Sequence, residues 1–241
     1  MCTVSWLYNE DGYQVFFNRD EQRSREKAQP PQIFSSTKIN NATYIMPVDP
    51  QGLGSWMGVT HSGITVCLLN FYQGKPPTGP LISRGILVKQ LLELNSFEKI
   101  RAALSEMVLL TYAPFSLLVF CPDKSKPYSL CWDGHNQYQS LNIVSPFTSS
   151  GVDFPIVSQH RQDSFKSLLT QNKQEITPEL LFDFHRSHLP TKSMKSVCMH
   201  REDAKTVSLS HIKVEKNNIN YTYWDGSPCS SQEKYSKTLS I

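Results

Sequence analysis

Cys2 follows the initiator methionine, and Asn18-Arg19-Asp20-Glu21 comes soon after it. Initiator methionine is usually removed before a residue as small as cysteine, so the mature chain is expected to begin at Cys2. Its free α-amine would titrate at about 7.7–8.0 and could act as a general base. The thiolate is the nucleophilic form of cysteine, and a nearby cation lowers the pKa of the thiol. Arg19 could supply that cation, and Asp20 could accept a hydrogen bond from the amine and orient it. One residue would then hold both nucleophile and base. Taken separately, each piece has a plainer reading. A cysteine at the start of a strand is commonly a small packing residue, and Asn-Arg-Asp is commonly a solvated strand end.

The elements that must bring these residues together are readable. Residues 2–8 and 13–19 are rich in Val, Phe, Tyr and Trp, and Asn9-Glu10-Asp11-Gly12 between them is a hairpin signal. A two-residue loop at Asp11-Gly12 puts Cys2 opposite Glu21, a three-residue loop puts it opposite Asp20, and a four-residue loop opposite Arg19. Opposed residues have Cβ atoms roughly 4.5–5.5 Å apart, so each register brings Cys2 near the charged cluster, with facing left to the pleat.

Beyond the hairpin, residues 22–47 read as a polar surface excursion. Residues 56–60 and 64–70 are strands joined by His61-Ser62-Gly63, and 71–80 is a Gly/Pro loop. Apolar spacing predicts helices over 82–94 and over 96–109, the latter starting at Ser96. Strands follow at 115–120, 128–132 and 139–145, then helices at 159–171 and 178–188, the second announced by Thr177-Pro178. Residues 196–200, 206–214 and 219–224 read as strands, and the chain from about 228 as a loose polar tail. Strands grouped by short turns favour antiparallel sheets. Two such sheets with helices on their outer faces make an α+β, four-layer αββα sandwich, as one domain over residues 1–241.

Composition narrows the function. Hydrophobic residues make up 39% and charged residues 19%, an ordinary globular balance. A net charge of +3 is too small to argue for nucleic acid. No apolar run is long enough to span a bilayer, and no secretory signal is evident, so a cytoplasmic protein is expected. The six cysteines form no Cys-x-x-Cys pair and suggest neither a zinc site nor a disulfide framework.

The opening stretch, together with residues 55–74, resembles the NRDE family, also called the transport-and-Golgi-organisation family. Members begin Met-Cys and carry Asn-Arg-Asp-Glu after the first hairpin, then a strand like Ser55-Trp56-Met57-Gly58 and one ending near Asn70. The resemblance is strong to about residue 94 and traceable to about 215. It implies the N-terminal-nucleophile hydrolase fold. More distantly, the opening is similar to the choloylglycine hydrolase and penicillin V acylase group, which cleaves linear amides through a terminal cysteine thiol. That similarity implies Cys2 as nucleophile, with Arg19, Asp20 and Asn70 as catalytic residues. Ser149 stands where the group has an oxyanion asparagine. Val207 stands where a late-strand arginine is common, so either Arg201 takes that role or the role is absent. Asn18, Phe71 and Tyr72 are candidate substrate contacts.

The resemblance implies thioester-mediated cleavage of an amide C–N bond with no metal and no organic cofactor, the partner being a small acyl amide or an apolar ligand. A non-catalytic carrier of a haem-like or lipid ligand on the same fold is the alternative, and a redox-active thiol protein is a third. Homo-oligomerisation is left open. Of the remaining candidates, His185 and His188 read as a solvated helix end, His61 as a turn residue, and residues 199–203 as a polar turn.

Overall fold

The computed structural model describes residues 1–139, 143–189 and 191–241. Among these, thirteen strands form two antiparallel sheets. In chain order the strands are β1 (Cys2–Asn9), β2 (Gly12–Gln22), β3 (Gln29–Ser35), β4 (Thr43–Val48), β5 (Met57–Thr60), β6 (Thr65–Asn70), β7 (Phe115–Phe120), β8 (Tyr128–Trp132), β9 (Gln137–Tyr138), β10 (Phe147–Ser149), β11 (Ala204–Glu215), β12 (Asn218–Asp225) and β13 (Lys234–Ser240). The helices are α1 (Arg84–Leu92), α2 (Phe97–Glu106), α3 (Phe154–Gln171) and α4 (Pro178–Arg186). One sheet runs β10-β1-β2-β11-β12-β13 and the other β3 through β9 in sequence order.

Alternation of side chains along the strands builds the layers. Val4, Trp6, Val15 and Phe17 point inward from β1 and β2 and meet Met57, Leu69 and Leu118 of the facing sheet. Phe16 points the other way, to Phe165, Leu181 and Phe184 of α3 and α4. On the far side, α1 and α2 lay Leu87, Leu91, Ile100 and Leu104 against Val66 and Leu117. The result is helix, sheet, sheet, helix, as the element order predicts. Ser96 caps α2 by accepting from the Lys99 N–H at 3.4 Å, and Thr177 caps α4 by accepting from the Leu180 N–H at 3.1 Å. Among the described residues no helix is long and apolar enough to cross a membrane.

The hairpin turns at Glu10-Asp11, one residue earlier than Asp11-Gly12, and Gly12 begins β2. Gly12 has φ +150°, and a Cβ there would lie 2.1 Å from the Val214 carbonyl oxygen, so only glycine lets β2 and β11 approach at this point.

Several expected elements differ. The excursion at 22–47 contains β3 and β4, which pair with each other. Residues 196–200 form no strand; only a single bridge joins His200 to Lys205, and the Cys198 N–H donates to the Ser187 carbonyl. The strand expected at 139–145 reaches into residues outside the described set, and its described part is not strand. Helix α3 begins at Phe154, with proline in its first turn supplying the start signal. The tail is not loose: β13 pairs with β12 along its length, because Tyr235 and Leu239 alternate onto the inner face and pack on the central core. Its polar composition masks that alternation.

His185 is also a correction. It is fully buried, stacked on Phe16 and hydrogen-bonded through Nε2 to Ser5 Oγ at 2.9 Å. Burial, with smaller electrostatic contributions from Arg161 and His211, pushes its pKa down to about 3. Burial likewise pushes His211 down to about 4, with Lys213 and Lys234 adding to the shift. Both imidazoles therefore stay neutral in the folded chain while the unfolded chain takes up protons near pH 6.5. Stability should be fully present above about pH 6.5 and fall as pH drops towards 4.5, by about 1.4 kcal/mol per pH unit for each such histidine. Urea unfolding at pH 7.5, 6.0 and 5.0 should show this slope, and His185→Gln should make it shallower. An unchanged slope in the variant would remove His185 as a cause.

Candidate active site

Hairpin register fixes the surroundings of Cys2. Cys2 pairs with Arg19 on β2 and with Ser149 on β10. Directly paired residues share a face, so Cys2 lies between Ser149 and Arg19 on the side that looks at the second sheet. Cys2 and Arg19 open onto a cavity of about 520 Å³, lined also by Met1, Asp49, Trp56, Asn70 and Arg84; Ser149 lies buried behind Cys2. Cys2 itself is half-buried. The wall beside it needs glycine: a Cβ on Gly54 would lie 2.1 Å from the Gly85 carbonyl carbon, so the start of α1 presses directly on the segment before β5.

Arg19 is held firmly. Its guanidinium lies 4.5 Å above the Trp56 ring. Nη2 reaches Glu21 at 3.3 Å and Asp49 at 3.4 Å. Asp49 also takes Arg25 at 2.6 Å. Burial opposes ionisation of Asp49, but the Arg25 hydrogen bond and the charges of Arg19 and Arg25 outweigh it and hold the carboxyl below the usual range. Burial pushes the Cys2 thiol above its ordinary value. The charge of the terminal ammonium is the largest opposing influence; the Asp20 charge adds to the rise, the Asp20 main-chain N–H opposes it, and Arg19 opposes it least.

Asp20 does not share the face of Cys2. Successive β2 residues alternate, so the Asp20 carboxylate points outward, beneath α3. There it pairs with Arg161 at 3.3 Å, both side chains at 0% exposure, and accepts from Thr206 Oγ1 at 2.6 Å. Arg161 also donates to Thr3 Oγ1 and to the Lys195 carbonyl. The chain terminus meets Asp20 through its main chain: the Asp20 N–H donates to the Met1 carbonyl at 3.0 Å, and the Met1 ammonium lies 3.3 Å from the Asp20 carbonyl. With Met1 in place, the carboxylate anchors the strand pair and does not touch the amine.

The other expected residues divide in the same way. Asn70 lines the cavity, and its Nδ2 donates to the Tyr72 hydroxyl at 3.0 Å. That hydroxyl also receives the Met1 ammonium at 3.2 Å, so Tyr72 sits at the mouth. The Ser149 hydroxyl is buried, with no hydrogen-bond partner among the described residues. Asn18 is on the outer face with its amide bonded to the His185 and Val197 carbonyls, away from the cavity. Phe71 lines a separate small pocket with Cys131 and Phe147. Arg201 is paired with Asp203 at 2.7 Å and borders a shallow pocket beyond Met1 and Tyr72. Val207 falls at the irregularity between Thr206 and Ser208, where β11 shifts register against β2. Sequence reasoning missed Trp56, Asp49, Arg84 and Arg161. Trp56 lay in a motif already singled out; Arg161 gave no local signal, since only the docking of α3 brings it to Asp20.

This architecture is the N-terminal-nucleophile hydrolase fold. It is shared at a TM-score of 0.59 and 10% identity with a mutant conjugated bile acid hydrolase from Clostridium perfringens, over 100% of this chain and 96% of that one. Penicillin V acylase from Agrobacterium tumefaciens matches at 0.55 and 10% identity, over 93% and 83% of the two chains. A Caenorhabditis elegans orthologue of N-acylethanolamine-hydrolyzing acid amidase matches at 0.58 and 12%, over 98% and 99%. At such identities the likeness establishes fold alone. No curated protein sequence matches the chain. The family model Transport and Golgi organisation 2 matches residues 1–235, and the chain belongs to that family.

Proposed function

We propose that the protein is an N-terminal cysteine hydrolase that cleaves a linear amide once Met1 has been removed. The observation that carries this reading is the position of Cys2. Its residue opens onto a large cavity, between Arg19, whose guanidinium is fixed, and Ser149, whose buried hydroxyl has no partner among the described residues. The fold shared with the amide hydrolases named above supports it.

The chemistry follows from the groups present. The Cys2 amine takes the thiol proton, and Sγ attacks the amide carbonyl carbon. Negative charge develops on the carbonyl oxygen, where Asn70 Nδ2 and Ser149 Oγ can donate hydrogen bonds. The C–N bond breaks, the ammonium protonates the departing amine, and water hydrolyses the thioester. The cavity combines Arg19, Arg25 and Arg84 with Leu81, Ile82 and Trp56. Arg19 and Arg25 are paired there with Glu21 and Asp49, so the mixture suits an acyl amide with a polar end better than a wholly apolar cargo.

Ser149 gives a clean test. Its hydroxyl has no partner to lose among the described residues, so Ser149→Ala should leave stability nearly unchanged. Removing one oxyanion donor should still slow turnover of a responsive N-acyl amide by about a hundredfold. A panel of N-acyl amides differing in chain length and head-group charge, assayed with both proteins, reads the effect. Equal rates would take Ser149 out of the reaction; no turnover of any amide by the processed wild-type chain would count against the hydrolase itself.

A further inference from the structure

On the outer side of the molecule, four side chains from three segments of the chain converge. His188 follows α4, Cys198 and His200 lie in the irregular segment before β11, and Cys229 lies in the loop after β12. Their ligating atoms all lie within 4.8 Å of one another. His200 Nε2 is 3.1 Å from His188 Nε2, 3.6 Å from Cys198 Sγ and 3.5 Å from Cys229 Sγ. One imidazole nitrogen carries either a single proton or a single lone pair, so it can satisfy only one of these three neighbours. A cation at the centre accepts a lone pair from all four at once.

We propose that His188, Cys198, His200 and Cys229 form a Cys2His2 site for a tetrahedral zinc ion. With Zn–N of about 2.0–2.1 Å and Zn–S of about 2.3 Å, a regular tetrahedron has edges of about 3.3 Å between nitrogens and about 3.6 Å between nitrogen and sulfur. The three separations in the structure match these edges within a few tenths of an ångström. Binding releases two thiol protons to solvent, and two thiolates, two neutral imidazoles and Zn²⁺ make a site of zero net charge. That suits a cluster in which Cys198 is fully buried. His188, His200 and Cys229 are half-buried, which leaves the ion a way in.

Four protein ligands close the coordination shell, so the role is structural. The segment it fastens lies outside both sheets, held by buried Val197 and Met199 and by main-chain hydrogen bonds such as Cys198 N–H to the Ser187 carbonyl, and zinc would add a four-point tie to these. The same segment supplies the Lys195 and Val197 carbonyls that receive Arg161 and Asn18. Zinc would thus tie down the far side of the Asp20 anchor, behind β1 and β2.

The test uses the full chain, expressed with zinc in the medium and kept reduced. Metal analysis after gel filtration should find about one zinc per chain. Cobalt exchanged into the site should give the intense visible bands of tetrahedral Co²⁺ and a thiolate-to-metal band in the near ultraviolet. His188→Ala and Cys229→Ser should each lose the metal, whereas Cys131→Ser should keep it. Because a variant can fail to fold, the wild-type chain gives a second reading: chelation should expose Cys198 and Cys229 to alkylation, mapped by peptide mass, and added zinc should protect them. Metal far below stoichiometric in folded wild-type protein would overturn the proposal. So would full zinc retention in Cys229→Ser, or a Cys198–Cys229 disulfide in the reduced protein.

Discussion

Arg161→Met is expected to destabilise the fold by about 3–5 kcal/mol, the usual consequence of removing one partner from a fully buried ion pair. Arg161 and Asp20 both have fully buried side chains. The substitution keeps much of the apolar stem but leaves the Asp20 carboxylate beneath α3 with Thr206 as its only remaining side-chain hydrogen-bond partner among the described residues. It also strips a donor from Thr3 and the Lys195 carbonyl. Arg161→Lys should recover only part of the loss, because an ammonium cannot reproduce a planar fork that reaches three acceptors. The double variant Asp20→Asn/Arg161→Met should be more stable than Arg161→Met alone, since it removes the uncompensated charge. Urea unfolding of the three variants measures this; a loss under about 1 kcal/mol for Arg161→Met would mean that the pair holds little.

The second large effect is chemical. Cys2→Ala should reduce amide turnover by about 10⁴-fold or more, since nucleophile and proton carrier act as a unit. Stability should change by only about 1 kcal/mol, because the side chain is small and half-buried. The same loss is expected when an unremovable residue precedes Cys2, although the thiol is intact, because the amine then belongs to another residue. In the Met1-bearing chain the thiol is raised by burial, and the ammonium that opposes this rise sits one residue away at Tyr72. Processing moves that nitrogen onto Cys2 itself and removes a residue that lines the cavity. Equal turnover by processed and blocked chains would exclude the amine as base.

How much of this was legible depends on whether the signal was local. The β1–β2 hairpin, the strand ending at Asn70 and the capped starts of α2 and α4 follow from residue types within a few positions. The register was legible only as three alternatives, because the turn settled at Glu10-Asp11 to let Gly12 pass Val214. The facing of Asp20 could have been read: adjacent strand residues cannot both face the thiol, so Arg19 beside Cys2 sends Asp20 outward. Arg161 could not, since its meaning comes from helix docking. Nor could the His188, Cys198, His200 and Cys229 cluster, whose members come from three segments without a Cys-x-x-Cys spacing.

A terminal thiol that attacks amides must begin the chain and must carry the acyl group. Intact mass spectrometry of the purified protein, before and after brief incubation with a responsive N-acyl amide and acid quench, observes both. The expected result is a chain lacking Met1 that gains one acyl group, located on Cys2 by fragmentation and absent in Cys2→Ala. Retained Met1 in an active protein, or an acyl group on any other residue, would contradict it.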